Sequence, residues 1–209
     1  LAGAAADDAR VKLTPHDAAY PRPLCRLDHP PALTLSGPLV RGRVIAIVGS
    51  RDAAEPARRF AFQLAYFLAR AGVVVVSGGA VGVDQAAHEG ALAARGSTWL
   101  VSVAGRGATL PQENRAVLDR VLAAPSSCVI WPFPDGTPQD RGTPRFRNGV
   151  LVGLAECVAV VQARARSGSR NAAGWARYLK RPLFVVPGML WDWQFRGSIL
   201  EILQGAEPL

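Results

Sequence analysis

Lysine is nearly missing from this 209-residue sequence: Lys12 and Lys180 stand beside 22 arginines. Cysteine is scarce as well. Cys25, Cys128 and Cys157 are odd in number, far apart and set among apolar residues. That excludes a disulfide framework and a zinc cluster, which need paired or closely spaced thiols. No stretch approaches the roughly 18 consecutive apolar residues of a membrane-spanning helix, so no membrane partner is expected. Leu1 to Asp8 lack the basic start and apolar run of a secretory leader, although the first residue is not a methionine. A cytoplasmic, reducing setting follows as the expectation. Histidine occurs three times, at His16, His29 and His88, and no serine or cysteine sits in a G-x-S-x-G elbow. No Walker A sequence is present, which disfavours ATP hydrolysis. The expectation is a protein with no catalytic residue, no metal and no cofactor.

What is present begins with charge. The sequence has 24 basic and 16 acidic residues, a net charge of +8, and a pI near 10.4. Codon bias in a GC-rich genome explains the choice of arginine over lysine, but not where the excess sits. Between Arg141 and Arg181 lie nine basic residues and one acid, Glu156, so this segment alone is +8 and the remainder is neutral. A solvated basic surface is the plain alternative. An asymmetric segment of this kind points to a polyanionic partner, because arginine's planar fork suits phosphate and stacks on bases.

The apolar fraction, 49%, is enough for a sizeable core. Short β-branched runs alternate with stretches of helical period. Strands are predicted at Val44–Val48, Val73–Val76, Thr98–Val103, Cys128–Trp131, Val158–Val161 and Leu183–Val186. Helices are predicted at Pro56–Ala71, Asp84–Arg95, Glu113–Ala123, Asn148–Ala155, Asn171–Leu179 and Ile199–Gln204. In the first helix Phe60, Leu64, Phe67 and Leu68 mark the expected apolar face. Continuous apolar strands alternating with helices give an α/β fold with a doubly wound, mostly parallel sheet, an extended Rossmann-like domain over residues 44–209. Residues 1–43 carry six prolines between Pro15 and Pro38. They are expected to be an extension packed on the core rather than a regular layer. A second loop-rich insertion runs from Pro132 to Pro144.

Four loops follow strands, where such folds bind ligands. Gly49-Ser50-Arg51 offers a small residue, a hydroxyl and a bidentate cation to a phosphate. Ser77-Gly78-Gly79-Ala80-Val81-Gly82-Val83-Asp84 is a glycine-rich turn into a helix, close to the dinucleotide fingerprint but with the wrong spacing. Asp84 reads as a cap of that helix. His88, one turn on, reads as its hydrogen-bonding partner, fixing the loop; a metal there would lack a third ligand. Asn114 in Leu110–Asn114 is a third loop-structuring candidate. The fourth group is Arg145-Phe146-Arg147-Asn148 with Arg164, Arg166, Ser167 and Arg170. There charges could follow phosphates while Phe146 either stacks on a base or packs in the core.

Taken in order, these motifs resemble the DNA-processing protein A (DprA, also called Smf) family. The resemblance runs from about Tyr20 to Ala206. It includes Tyr20-Pro21, Asp28-His29-Pro30-Pro31, Ile45 to Arg51, Ser77 to Asp84 with Ala87-His88, Pro111 with Asn114, Arg147-Asn148, Ser167-Gly168-Ser169, Val186-Pro187-Gly188 and Gly205-Ala206. The resemblance implies a single-stranded DNA-binding protein that assists a RecA-type recombinase during natural transformation, with an extended Rossmann core that forms a homodimer. It also implies that Gly49, Ser50, Arg51 and the Gly78–Gly82 loop line a phosphate pocket completed by Arg147 and Asn148.

Several positions depart from the family pattern. Gly149 stands where a second arginine is usual, and Pro144-Arg145 replaces Phe-Pro. Gln162 replaces an acid, Arg170-Asn171-Ala172-Ala173 follows where Thr-Ala is frequent, and Ile199 replaces an Asn. Flanking helical and winged-helix domains of many members have no counterpart in this sequence. A divergent member or an isolated core would fit. The run Val76–Val83 also resembles the first loop of the lysine decarboxylase-like phosphoribohydrolases. Their second loop, Pro-Gly-Gly-x-Gly-Thr-x-x-Glu, has no counterpart; Glu113 stands in the corresponding region without the glycines. A nucleotide-binding or nucleotide-cleaving domain is the alternative expectation.

Overall fold

The computed structural model describes residues 10–209. The expectations about Leu1 to Asp8 lie outside the described residues. In chain order the elements are β1 (Arg10–Leu13), β2 (Leu33–Ser36), β3 (Val44–Val48), α1 (Glu55–Arg70), β4 (Val74–Gly78), α2 (Val83–Ala93), β5 (Thr98–Val101), α3 (Gln112–Leu122), β6 (Cys128–Trp131), α4 (Thr143–Leu154), β7 (Cys157–Val160), α5 (Gly168–Tyr178), β8 (Leu183–Val185), α6 (Arg196–Leu203) and β9 (Glu207–Pro208). Short 3-10 turns occupy Arg22–Arg26 and Trp193–Phe195.

Among the described residues nine strands form one sheet in the order β1-β2-β6-β5-β4-β3-β7-β8-β9. The pairs from β6 through β9 are parallel, and β1 and β2 join antiparallel at the β6 edge. This is the doubly wound α/β fold read from the sequence. Strands β4, β5 and β6 are buried at every residue, as expected where helices cover both faces of a parallel sheet. Ile47 and Val75 face α1 and α2, while Ala46, Val48, Val74 and Val76 face the cluster that holds α4 and α5.

Three expectations are corrected. The Pro-rich extension does supply a regular layer. Its prolines fall between Leu13 and Leu33 or after Ser36, which leaves two proline-free runs to pair, with Leu13 opposite Leu33 and Leu35 opposite Ile130. In α1 the buried stripe is Ala57, Ala61, Ala65 and Ala69, while Phe60 and Phe67 are exposed. Small residues one turn apart let α1 lie close on α2, where a side chain at Gly90 would collide with the Phe62 carbonyl. Finally α4 starts at Thr143 and α5 at Gly168, each earlier than predicted. Pro144 sits in the first turn of α4, where its missing N–H costs nothing.

The chain winds from β3 out to β6, then returns past β3 to β7. Neighbouring loops after β3 and β7 therefore diverge and leave a crevice at the carboxyl ends of the strands.

Candidate nucleic-acid interface

A depression of about 330 Å³ fills that crevice. Three segments meet there: Gly49, Ser50, Arg51 and Asp52 after β3; Arg147 and Asn148 on α4; and Arg164, Arg166 and Ser167 before α5. Four arginines face two acids, Asp52 and Asp84. The early start of α4 places Arg147 and Asn148 in its second turn, directed at the crevice.

Arg147 is the most constrained of these. Its side chain is 7% exposed and its Nη1 lies 3.8 Å from Asp84 Oδ2, a distance of ion pairing rather than hydrogen bonding. Its Nε is buried without a hydrogen-bond partner. Burial pulls the Arg147 guanidinium down from its usual range, opposed by the attraction of Asp84. The same burial pushes the Asp84 carboxyl up against the pull of Arg147. Arginine stays protonated in such settings. The result is a buried guanidinium lining an open crevice, a charge that suits a phosphate oxygen.

The glycine loop builds this arrangement from beneath. Gly78 has no side chain because the Arg147 guanidinium and Asp84 carboxylate lie where a Cβ would stand. Gly82 has φ +87°, in the left-handed region, and a Cβ there would overlap the Ser50 and Arg51 carbonyls. The next amide, Val83 N–H, donates to Ser50 O at 3.2 Å. The two loops are therefore tied together, and Ser50 and Arg51 are presented at the crevice. The Ser77 hydroxyl donates to Ile47 O at 2.6 Å and joins β4 to β3 instead of facing the crevice. Asn114 donates from Nδ2 to Gly79 O and so holds the same loop from α3.

Two loop-structuring expectations are corrected. Asp84 does not cap α2: Gly82 is the N-cap residue and Asp84 lies inside the first turn, buried against Arg147. His88 does not bond Asp84. Its Nε2 meets Gly78 O at 2.8 Å and its Nδ1 meets Thr98 Oγ1 at 2.8 Å. A carbonyl only accepts, so Nε2 carries the proton, and Nδ1 and Val75 O are alternative acceptors for the single Thr98 hydroxyl hydrogen. Burial lowers the His88 pKa to about 4, keeping the ring neutral. Among the described residues no three of His, Cys, Asp and Glu gather as a metal site would require.

The remaining basic residues divide by role. Arg51 and Arg166 are exposed, and neither forms an ion pair within 4.0 Å among the described residues. Arg164 is held at the rim by Asp52 and lies 4.3 Å from the Trp193 ring centroid. Arg170 does not line this crevice. Its Nε donates to Glu201 Oε1 at 2.6 Å and its Nη1 to Ala165 O at 2.8 Å, so it fastens the Arg164–Ser167 loop to α6. Arg177 engages the other oxygen of Glu201, whose side chain is 1% exposed. Phe146, expected as a base platform or core residue, packs on the core and on Phe133, 5.7 Å between ring centroids. Its place on α4, one residue before Arg147, turns it away from the crevice. Asn148 donates to Gly168 O at 3.2 Å and Asn171 Oδ1 at 3.0 Å, joining α4 to α5. Glu113 is exposed on the first turn of α3 and does not line the crevice. Sequence reasoning missed Asp52, Thr98 and Glu201. Each acts through a partner distant in the chain, and no local pattern marks it.

Comparison with known proteins agrees with the motif order. Residues 12–209 match the family model described as DNA recombination-mediator protein A. The chain is 36% identical over 168 residues to a putative DNA processing protein DprA of Mycobacterium tuberculosis, covering 80% of this chain and 43% of that protein. It thus spans less than half the length of that relative. Among solved structures, DNA processing protein A of Streptococcus pneumoniae superposes with a TM-score of 0.88 at 27% identity, over 97% of this chain and 71% of the other. DNA processing protein A of Helicobacter pylori, described for its single-stranded DNA binding mode, gives 0.83 at 27% identity, over 96% and 90%. The chain belongs to the DNA recombination-mediator protein A family, the DNA-processing proteins called DprA or Smf.

Proposed function

We propose that this chain is a non-enzymatic, cytoplasmic single-stranded DNA-binding protein that grips phosphate in the β3/β7 crevice. In this reading it protects incoming DNA and assists a RecA-type recombinase in natural transformation, working as a homodimer. The observation that supports it most is the buried Arg147 guanidinium lining the crevice, flanked by the exposed Arg51 and Arg166. Ser50 and the Gly49–Arg51 amides supply further donors, and Arg164 and Ser167 close the rim. The Helicobacter pylori relative, described for its single-stranded DNA binding mode, supports the choice of ligand.

The dimer reading draws on exposed apolar residues, Met189, Leu190, Trp191 and Trp193 in one loop and Leu200 and Leu203 on α6. Monomers rarely leave such groups clustered in water.

Fluorescence anisotropy with a labelled single strand and its duplex, at low and high salt, tests the reading. Tight binding that favours the single strand and weakens steeply with salt is expected. Arg51→Ala should lower affinity about tenfold with the salt slope reduced by roughly one phosphate contact. No binding at low salt, or unchanged affinity and slope in Arg51→Ala, would overturn it.

A further inference from the structure

The crevice does not end at Ser167. A second depression adjoins it and shares Pro144, Asn148, Arg166, Ser167 and Gly168 with the first. A third shares Arg170 and Asn171 with the second and ends on Trp175 and Tyr178. The three form one trough that leaves the phosphate crevice and follows α5. From Gly168 to Tyr178 that helix advances about 15 Å, so the far end lies beyond the reach of the nucleotide held by Arg147.

We propose that the Trp175/Tyr178 end of this trough is a second subsite, where an unpaired base of the same strand stacks. The inference rests on the reading of the crevice as a single-strand phosphate site. Charge along the trough suits a nucleic-acid backbone: Arg145 and Arg166 are exposed where the second depression runs. At its end the two rings meet edge to face, 5.5 Å apart with planes at 82°.

Both rings are held before any ligand arrives. Trp175 Nε1 donates to Arg145 O at 3.0 Å, and the Tyr178 hydroxyl donates to Asp28 Oδ1 at 2.7 Å. Trp175 also lies over Gly149, where even a Cβ would stand 2.9 Å from its Cε2. The glycine therefore makes the Trp175 position possible. A side chain at Gly174, beside the rings, would meet nothing within 4 Å, so the space next to them is open. Tyr178 itself is 54% exposed. Asn171 spends Oδ1 on Asn148 and keeps its amide hydrogens for a base edge. The Asp28 carboxylate at the far rim disfavours phosphate there and favours an uncharged base. Rings of this kind accept any base, because every base has a π-face.

The test compares two strands of about 16 nucleotides, the upper end of single-strand site sizes. One is oligodeoxythymidine and the other is fully abasic. Tyr178→Ala and Trp175→Ala should each weaken the thymidine strand about tenfold and leave the abasic strand unchanged. Trp175→Phe should restore most of that loss while removing the Trp175 share of the tryptophan quenching produced by the thymidine strand. Arg51→Ala should weaken both strands. Tyr178→Ala changes an exposed ring, so it stays informative if Trp175→Ala fails to fold. Equal losses on both strands, or none on either, would overturn the stacking subsite while Arg51-dependent binding upheld the phosphate crevice. Wild-type protein binding neither strand would overturn both.

Discussion

The guanidinium of Arg147 lies across Gly78, so that a Cβ at Gly78 would overlap its Nη1 and stand 2.6 Å from the Asp84 carboxylate. The glycine-rich loop in this chain is thus a seat for an arginine from another helix, as well as a turn at a helix start. Gly78→Ala should displace Arg147 from the crevice. The expected result is a loss of about 1–3 kcal/mol from forced repacking, together with about tenfold weaker single-strand binding. Denaturant unfolding and anisotropy on the same preparation read the two effects separately. A variant that binds as the wild type does would mean that the position of Arg147 is irrelevant to binding.

The buried pair of Arg147 and Asp84 predicts an asymmetry between single and double substitution. Arg147→Met leaves the Asp84 carboxylate buried without its cation and should cost about 3 kcal/mol, since breaking a buried pair strands a charge. Adding Asp84→Asn removes the stranded charge and should recover most of that stability. Binding behaves differently, because the crevice has lost its buried cation in both proteins. The double variant should be stable and should bind single strands as poorly as Arg147→Met. Recovery of binding along with stability would show that Arg147 acts only by supporting the fold.

Much of this fold is legible in the sequence for a simple reason. Runs such as Val44–Val48 and Cys128–Trp131 are buried on both faces, so their apolar character is continuous and their limits are sharp. Arg51 could be read from the Gly49-Ser50-Arg51 turn and Arg147 from the Arg-Asn pair in the basic segment, and both line the crevice. What escaped notice depends on distant partners. Leu33-Thr34-Leu35 is too short to declare itself a strand until Ile130 and its neighbours offer an edge. His88 sits one turn from Asp84 in sequence, yet Gly78 and Thr98, from β4 and β5, claim both ring nitrogens. In α1 phenylalanines suggested the buried face, but close approach to α2 selected alanines. Glu201 gave no signal, since its two arginines lie 31 and 24 residues away.

The exposed apolar run predicts the assembly state. Leu203 is 78% exposed on α6 and Trp191 is 82% exposed in the preceding loop. If a second copy covers this face, light scattering should give the mass of two chains for the wild type. Leu203→Glu should give the mass of one. The fold should tolerate the change to within about 0.5 kcal/mol, because the side chain touches water in the single chain. A wild-type protein that is monomeric throughout the concentration range would remove the homodimer from the proposed function.

His88 sets the acid limit of the loop that seats Arg147. The ring is neutral when folded, with a pKa lowered by burial to about 4 from 6.5. Above pH 6.5 both folded and unfolded chains hold it neutral, and no proton linkage operates. Between 6.5 and about 4 the unfolded chain binds the proton and the folded chain does not, so stability falls as pH falls. Below about 4 both states are protonated and the loss levels off at about 3 kcal/mol from this residue. The buried Asp84 carboxyl, pushed up by burial, works in the opposite sense. It is common to both proteins when wild type is compared with His88→Gln. The glutamine should offer an amide donor to Gly78 O and cannot titrate. Denaturant midpoints measured from pH 7 to pH 4 should therefore fall more steeply for the wild type. Parallel curves would mean that His88 is not held neutral against Gly78, and that the loop beneath Arg147 is fixed by Asn114 and Gly82 instead.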